Sequence, residues 1–234
     1  RQNRTVDVPN TAYFHPLPGL STSNYFRGGD TLSGLTGVLH WSFAGQSGTD
    51  AWRIRPVTEA YPYVITHANP RPAAPAVGGS LKVASFNVLN YFLSVDTTAS
   101  NDVGTCGPSG TLDCRGADSV QELDRQRAKL TQALLGLDAD IVGLIEMENT
   151  PGVTPPLQIV TDLNAIAGAG SYAYLDTGVI GTDAIRVGMI YKPGKVSPVG
   201  NFAILDSSVD ADFIDTRNRP ALAQTFQDLS NGAR

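Results

Sequence analysis

Glu146 ends an almost wholly apolar run, Ile141-Val-Gly-Leu-Ile145. A carboxylate there is badly placed for a solvated surface and well placed for a cleft at the edge of a sheet. Glu148 and Asn149 follow at once, giving Glu-Met-Glu-Asn. Carboxylate and amide oxygens in one segment are hard ligands, suited to Mg²⁺ or Ca²⁺ and not to zinc. A plainer role is open too, that of a carboxylate capping the turn after a strand. Asn87 interrupts Ser85-Phe-Asn-Val-Leu-Asn90 in the same way. A polar amide in such a run needs partners if buried, so it is either a structural bracket or a site residue.

Other reactive side chains are few. The three histidines, His15, His40 and His67, all precede Asn87, and a surface or linker role is expected for each. The only cysteines, Cys106 and Cys114, bound the Gly/Pro-containing stretch Cys106-Gly-Pro-Ser-Gly-Thr-Leu-Asp-Cys114. It has neither a zinc-like CxxC spacing nor a nearby histidine, so a local disulfide is favoured over two free thiols, which points to an oxidising compartment. With Lys+Arg 17 against Asp+Glu 22, the net charge of -5 gives no global basic field, and phosphate recognition would have to be local. No apolar run approaches the roughly 20 residues that span a bilayer, so no membrane association is expected. The chain starts at Arg1 with no basic and apolar leader, as a mature product or an excised piece would.

The elements that must position these residues can be read from pattern. Residues 28 to 55 suggest a β-hairpin, with Leu35, Leu39, Trp41 and Phe43 on one parity, a turn over 44 to 50, and Trp52 and Ile54 on the return. Residues 1 to 55 look like part of a β module. Prolines and Gly78-Gly79 then mark a linker over 56 to 79. Residues 80 to 234 form the second domain. It opens with a strand over 81 to 90, apolar on both parities and so expected to be covered on both faces. A helix is predicted from about Ser119 to Leu135. Ser119 and Glu122 have capping-box spacing, Val120, Leu123, Leu130, Leu134 and Leu137 make a stripe, and Gly136 is the terminator. Pro155-Pro156 opens a second helix, with stripe Ile159, Val160, Leu163 and Ile166, ending at Gly168. Further strands are predicted near 184 to 191 and 221 to 227.

The order Ser-Phe-Asn-Val-Leu-Asn, then the helix with Arg125-Gln-Arg-Ala-Lys129, then Ala139-Asp-Ile-Val-Gly-Leu-Ile-Glu-Met-Glu-Asn149, resembles the endonuclease/exonuclease/phosphatase superfamily with the DNase I-like α/β sandwich fold. Cys114-Arg-Gly-Ala-Asp118, Asp183-Ala-Ile-Arg-Val-Gly-Met-Ile-Tyr-Lys-Pro193 and Asn218-Arg-Pro-Ala-Leu-Ala-Gln-Thr-Phe226 are similar to large extracellular nucleases of bacteria. Arg27-Gly-Gly-Asp-Thr-Leu-Ser-Gly-Leu-Thr-Gly-Val-Leu39 resembles the closing part of the OB-like β module that often precedes their catalytic domain. The resemblance implies that Glu146 is the principal metal-ligating glutamate and that Asn87 supports metal and phosphate. It further implies that Arg219 offers a cation to phosphate and that Asp183 helps orient a catalytic histidine. The implied cofactor is Mg²⁺ or Ca²⁺, with Mn²⁺ possible; the implied substrate is DNA, RNA or both, and the implied location is extracellular.

The His-Leu-Lys-Ser strand, the Gly-Asp-x-Asn motif and the terminal Asp-His of that family do not occur in these residues. The chain therefore looks like the front half of the catalytic domain, whose remaining half would be its partner. Two other functions stay open: a phosphatase or another phosphodiesterase of the same fold, and a non-catalytic binding or scaffold module.

Overall fold

The computed structural model describes residues 25–42, 50–57, 63–69, 73, 75–96 and 104–234. The chain divides into two compact units, Arg1–Ala76 and Val77–Arg234.

The first unit contains β1 (Thr31–Ser33), β2 (Gly37–Ser42), β3 (Ala51–Pro56) and β4 (Val64–Thr66). β2 and β3 form the expected hairpin, and Trp41 stands opposite Trp52 with their rings edge to face at 5.2 Å. The expected turn, Phe43 and His15 lie outside the described residues. The predicted linker is not wholly irregular, because β4 falls inside it and pairs with β1. What ties β1 to β4 is Asp30, whose carboxylate accepts from the backbone N–H groups of Arg27, Ala68 and Asn69 and meets His67 Nδ1 at 3.0 Å. These contacts, the one with His67 first, hold the Asp30 carboxyl down at about 2. A depressed carboxyl contributes stability that is fully present above its ordinary value and is lost as pH falls toward the lowered one. Acid titration of the first unit, followed by the fluorescence of Trp41 and Trp52, should therefore show its transition between about pH 4 and pH 2. In Asp30→Asn that transition should vanish and thermal stability at neutral pH should fall.

The second unit runs β5 (Val83–Tyr91), β6 (Gly104–Cys106), β7 (Leu112–Asp113), α1 (Val120–Leu137), β8 (Ile141–Glu148), α2 (Pro155–Ala167), β9 (Ala173–Tyr174), β10 (Ile185–Tyr191), β11 (Val196–Leu205) and β12 (Ala221–Asp228). It has the expected α/β character. A sheet of order β5-β8-β10-β9 has β5 parallel to β8, with α1 in the crossover, and β10 antiparallel to β8. Both helices bury their stripes on one face of it: Leu123, Leu130 and Leu134 from α1 and Ile159, Val160 and Leu163 from α2 meet Val88, Val142, Leu144 and Ile190. Arg127 of α1 forks onto Asp162 of α2 at 3.0 and 2.7 Å, fixing the helices to each other.

Several expectations are corrected. β5 is covered on one face only among the described residues, since Val83 and Leu89 are 68% and 73% exposed. Gly136 lies inside α1, which ends instead at Asp138 in the left-handed region, φ 48. Lys192 Nζ bonds both the Asp138 carbonyl and its carboxylate, which secures that conformation. Val120 and Ile166 are exposed ends of their stripes. The Ser119 half of the capping box forms, with Ser119 Oγ accepting from Glu122 N, while the Glu122 carboxylate reaches one residue further back and accepts from Asp118 N. The long hairpin partner β11 was not foreseen, because Pro198 and Gly200 break its pattern; the register with β12 shifts there, between Val199 and Ala203.

Candidate functional site

The carboxyl ends of the parallel strands β5 and β8 and the start of the antiparallel β10 lie at the same end of the sheet. The ladder is broken there on both sides of β8. Between Asn87↔Ile145 and Tyr91↔Met147, three residues of β5 stand against Glu146 alone; between Gly188↔Leu144 and Arg186↔Met147, two residues of β8 stand against one of β10. Leu89, Asn90 and Glu146 all have positive φ, at 58, 48 and 70. Non-glycine residues held in that region cost free energy, and bulges of this kind re-aim side chains at sheet ends.

The bulge brings Asn87 and Glu146 to one place. Asn87 Oδ1 accepts from Leu89 N at 2.8 Å and Glu146 Oε2 accepts from Asn90 N at 3.2 Å, so the two oxygens sit on consecutive amides. Asn87 is exposed and Glu146 half-buried. Glu146 Oε1 takes no hydrogen bond among the described residues. The donors are hard oxygens only, a set that fits Mg²⁺, Ca²⁺ or Mn²⁺ with water filling most of the shell. Among the described residues no group of three or more His, Cys, Asp or Glu could form a closed cage.

Glu148 and Asn149, counted with Glu146 as ligands from the sequence, are buried and already engaged. Glu148 is fully buried; its Oε2 accepts from Leu93 N and Ser94 N at 2.7 and 3.1 Å, and its Oε1 from Ser94 Oγ at 2.6 Å. Asn149 Oδ1 accepts from Ile180 N at 3.0 Å while its Nδ2 donates to the carbonyls of Ile180 and Asp183 at 2.8 and 2.9 Å. A buried amide with all its groups used is a bracket, here for the loop that delivers Asp183 to β10.

Among the described residues Asp183 is bonded by two arginines and by no histidine. Arg115 Nη2 meets its Oδ1 at 2.5 Å and Arg219 Nε its Oδ2 at 2.8 Å, while Ala184 N also donates to Oδ1. Partial burial would push this carboxyl up, but the guanidiniums outweigh it and hold it below the usual carboxylate range. Asp183 and Arg219 line a cleft of about 390 Å³ with Thr182, Asp206, Asp215 and Asn218. Its walls need Gly181, φ +66, where a Cβ would press on the ring of Pro220 at 2.8 Å.

Arg115 was missed by sequence reasoning, although it lies in the quoted Cys114-Arg-Gly-Ala-Asp118 motif. Cys106 and Cys114 are joined, with Cα atoms 5.2 Å apart, closing the β6–β7 hairpin. The bridge packs with Phe92, Ala184 and Ile185. Gly116 lets the chain pass against Phe92, since a Cβ there would overlap the Phe92 Cβ. The hairpin is thereby anchored at the start of β10, with Arg115 beside Asp183.

Of the side chains the sequence proposed, Asn87 and Glu146 accept from consecutive amides and Asp183 is bonded to Arg219. No protein-family model matches the chain, and no curated protein matches it. Among solved structures it is similar to an endonuclease/exonuclease/phosphatase from Bacteroides vulgatus, at 19% identity and TM-score 0.37, covering 65% of this chain and 48% of that one. A mannosyl-6-phosphatase from Bacteroides thetaiotaomicron aligns at 19% identity and TM-score 0.38, covering 65% and 48%. An endonuclease/exonuclease/phosphatase family protein from the same organism aligns at 17% identity and TM-score 0.36, covering 65% and 46%. The chain thus spans about half the length of the solved structures it matches.

Proposed function

We propose that the second unit is the front portion of a DNase I-like, metal-dependent phosphodiester hydrolase that acts on nucleic acid outside the bacterial cell. The observation that carries this reading is the pair Asn87 and Glu146, set on consecutive amides by a doubly bulged strand end. The motif order Asn87, Glu146, Asp183, Arg219 supports the same assignment. Among the described residues no helix is long and apolar enough to cross a membrane.

Glu146 and Asn87 would hold the divalent cation. When bound, the cation would neutralise charge that builds on the phosphate and leaving oxygen. The chain's own residues would do the rest: Arg219 would present its Nη groups, which have no other acceptor among the described residues, to phosphate oxygens, and Asp183 fixes that guanidinium by its Nε. Hydrolysis also needs an acceptor for the proton of the attacking water. No histidine follows His67 in these residues, so the proton acceptor would come from the remainder of the catalytic domain.

Isothermal titration of the full chain with Mn²⁺ or Mg²⁺ should show one site. Glu146→Gln should weaken it at least about tenfold, because it removes the one carboxylate that the described residues offer the cation beside Asn87. Supercoiled plasmid with Mg²⁺ or Ca²⁺ should be nicked several powers of ten more slowly than by a complete enzyme of this class. Fast nicking abolished by Glu146→Gln would overturn the account of the proton acceptor. Release of phosphate from a sugar monophosphate, without nicking, would move the assignment to a phosphatase. Absence of any divalent binding would favour the non-catalytic module.

A further inference from the structure

Asp183 carries one negative charge and holds two positive ones. Arg115 and Arg219 each spend a single nitrogen on it, and among the described residues neither guanidinium has another acceptor. Their side chains are 33% and 38% exposed, so the unused N–H groups face solvent. Both are tethered to one carboxylate, so the three-residue cluster by itself carries one net positive charge on a chain whose net charge is -5. Arg115 is presented by a rigid piece, the disulfide-closed hairpin against Phe92 and Ala184. Two guanidiniums fixed side by side with free N–H groups match the oxygens of a phosphate, because the fork geometry is paid for before binding. Asp206 and Asp215 line the neighbouring cleft together with Arg217 and Arg219, and repulsion from the two carboxylates favours a phosphate on the Arg115 side of Asp183.

We propose that Arg115 is a second phosphate-binding residue, paired with Arg219 across Asp183, and that the pair takes a backbone phosphate of a nucleic-acid strand. This rests on the hydrolase reading above and adds to it a residue that would anchor the strand. Asp183 is then a positioning residue, since it acts through the two guanidiniums.

The test is fluorescence anisotropy of a labelled single-stranded DNA oligonucleotide with the full chain in EDTA, as a salt series. Working without divalent ions separates this site from any metal site. Arg115→Gln should weaken binding about five- to tenfold and lower the slope of log affinity against log salt by about 0.7, the loss of one phosphate contact on a single strand. Arg219→Gln should do the same, and Arg115→Lys should restore the slope but not the full affinity, as it keeps the charge and loses the fork. A purely structural arginine would change the melting temperature and leave the salt slope alone. If the wild-type chain binds DNA and Arg115→Gln changes neither affinity nor slope, the inference fails while the nucleic-acid reading stands. If the chain ignores DNA but binds glucose 6-phosphate or inorganic phosphate through Arg115, the two-arginine site stands and the nucleic-acid reading fails. Failure to bind any of the three probes would overturn the site itself.

Discussion

Glu148→Ala is expected to destabilise the second unit by about 3–5 kcal/mol, more than any single truncation on the helices' exposed faces. The carboxylate is fully buried and accepts from Leu93 N, Ser94 N and Ser94 Oγ. Alanine leaves three donors without a partner and opens a cavity beside the disulfide, whose Cys106 Sγ lies 3.6 Å from Oε1. Gln should recover part of the loss, because its oxygen can keep the Leu93 and Ser94 amides while its NH₂ donates to the Ser94 hydroxyl, which can turn to accept. Ser94→Ala removes only the hydroxyl bond and should cost about 1 kcal/mol. Urea unfolding followed by far-UV circular dichroism reads this directly, as both helices lie in the second unit. A Glu148→Ala loss below about 1 kcal/mol would mean that water reaches the site and replaces the carboxylate.

The consequence for function is positional. Leu93 and Ser94 follow, after Tyr91 and Phe92, the bulged stretch of β5 whose Leu89 and Asn90 amides receive Asn87 and Glu146. Glu148 therefore pins the far end of the segment on which the candidate metal ligands rest. The sequence places Glu146, Glu148 and Asn149 in one short polar run, and nothing in residue type alone separates the half-exposed member from the two buried ones. The separation comes from the bulge at Glu146, which shifts the alternation so that Met147, and not Glu146, joins the core face with Val142 and Leu144. Positive φ at Leu89, Asn90 and Glu146 leaves no mark that a glycine or asparagine pattern would announce; only Asn90 is of a type that favours it.

Elsewhere, what could be read depended on range. Capping at Ser119, the Pro155-Pro156 helix start and the Cys106–Cys114 closure are local, and local chemistry was enough to foresee them. The Arg115–Asp183–Arg219 cluster joins residues 68 and 36 positions apart, and no periodicity carries that information. Asp183 was expected, through the resemblance, to help orient a catalytic histidine that lies outside these residues; the neighbours it has here, Arg115 and Arg219, are brought to it by the disulfide-anchored hairpin and the loop before β12. Asp30 and His67 were similarly hidden, since their pairing depends on β1 meeting β4 across the stretch expected to be a linker.

Asn149→Asp should produce a destabilisation that depends on pH in the direction opposite to most carboxylates of the protein. The native Nδ2 donates to the carbonyls of Ile180 and Asp183, and the residue is 1% exposed. An ionised aspartate would set a second oxygen against those two carbonyls in a buried site, which is repulsive on both counts; a protonated one can still donate to one of them. The folded state then binds a proton more tightly than the unfolded chain, whose aspartate titrates near 3.9. A carboxyl raised in the folded state makes stability fall as pH rises through the raised value. Relative to wild type, Asn149→Asp should therefore lose about 1 kcal/mol or less near pH 4 and about 3–5 kcal/mol at pH 8. Asn149→Leu, which cannot titrate, should lose about 2–4 kcal/mol at both. Melting curves of the two variants at both pH values decide the matter. A pH-independent loss in Asn149→Asp would show that the loop 180–183 moves away from the new carboxylate, and that Asn149 does not fix the position of Asp183 and its two arginines.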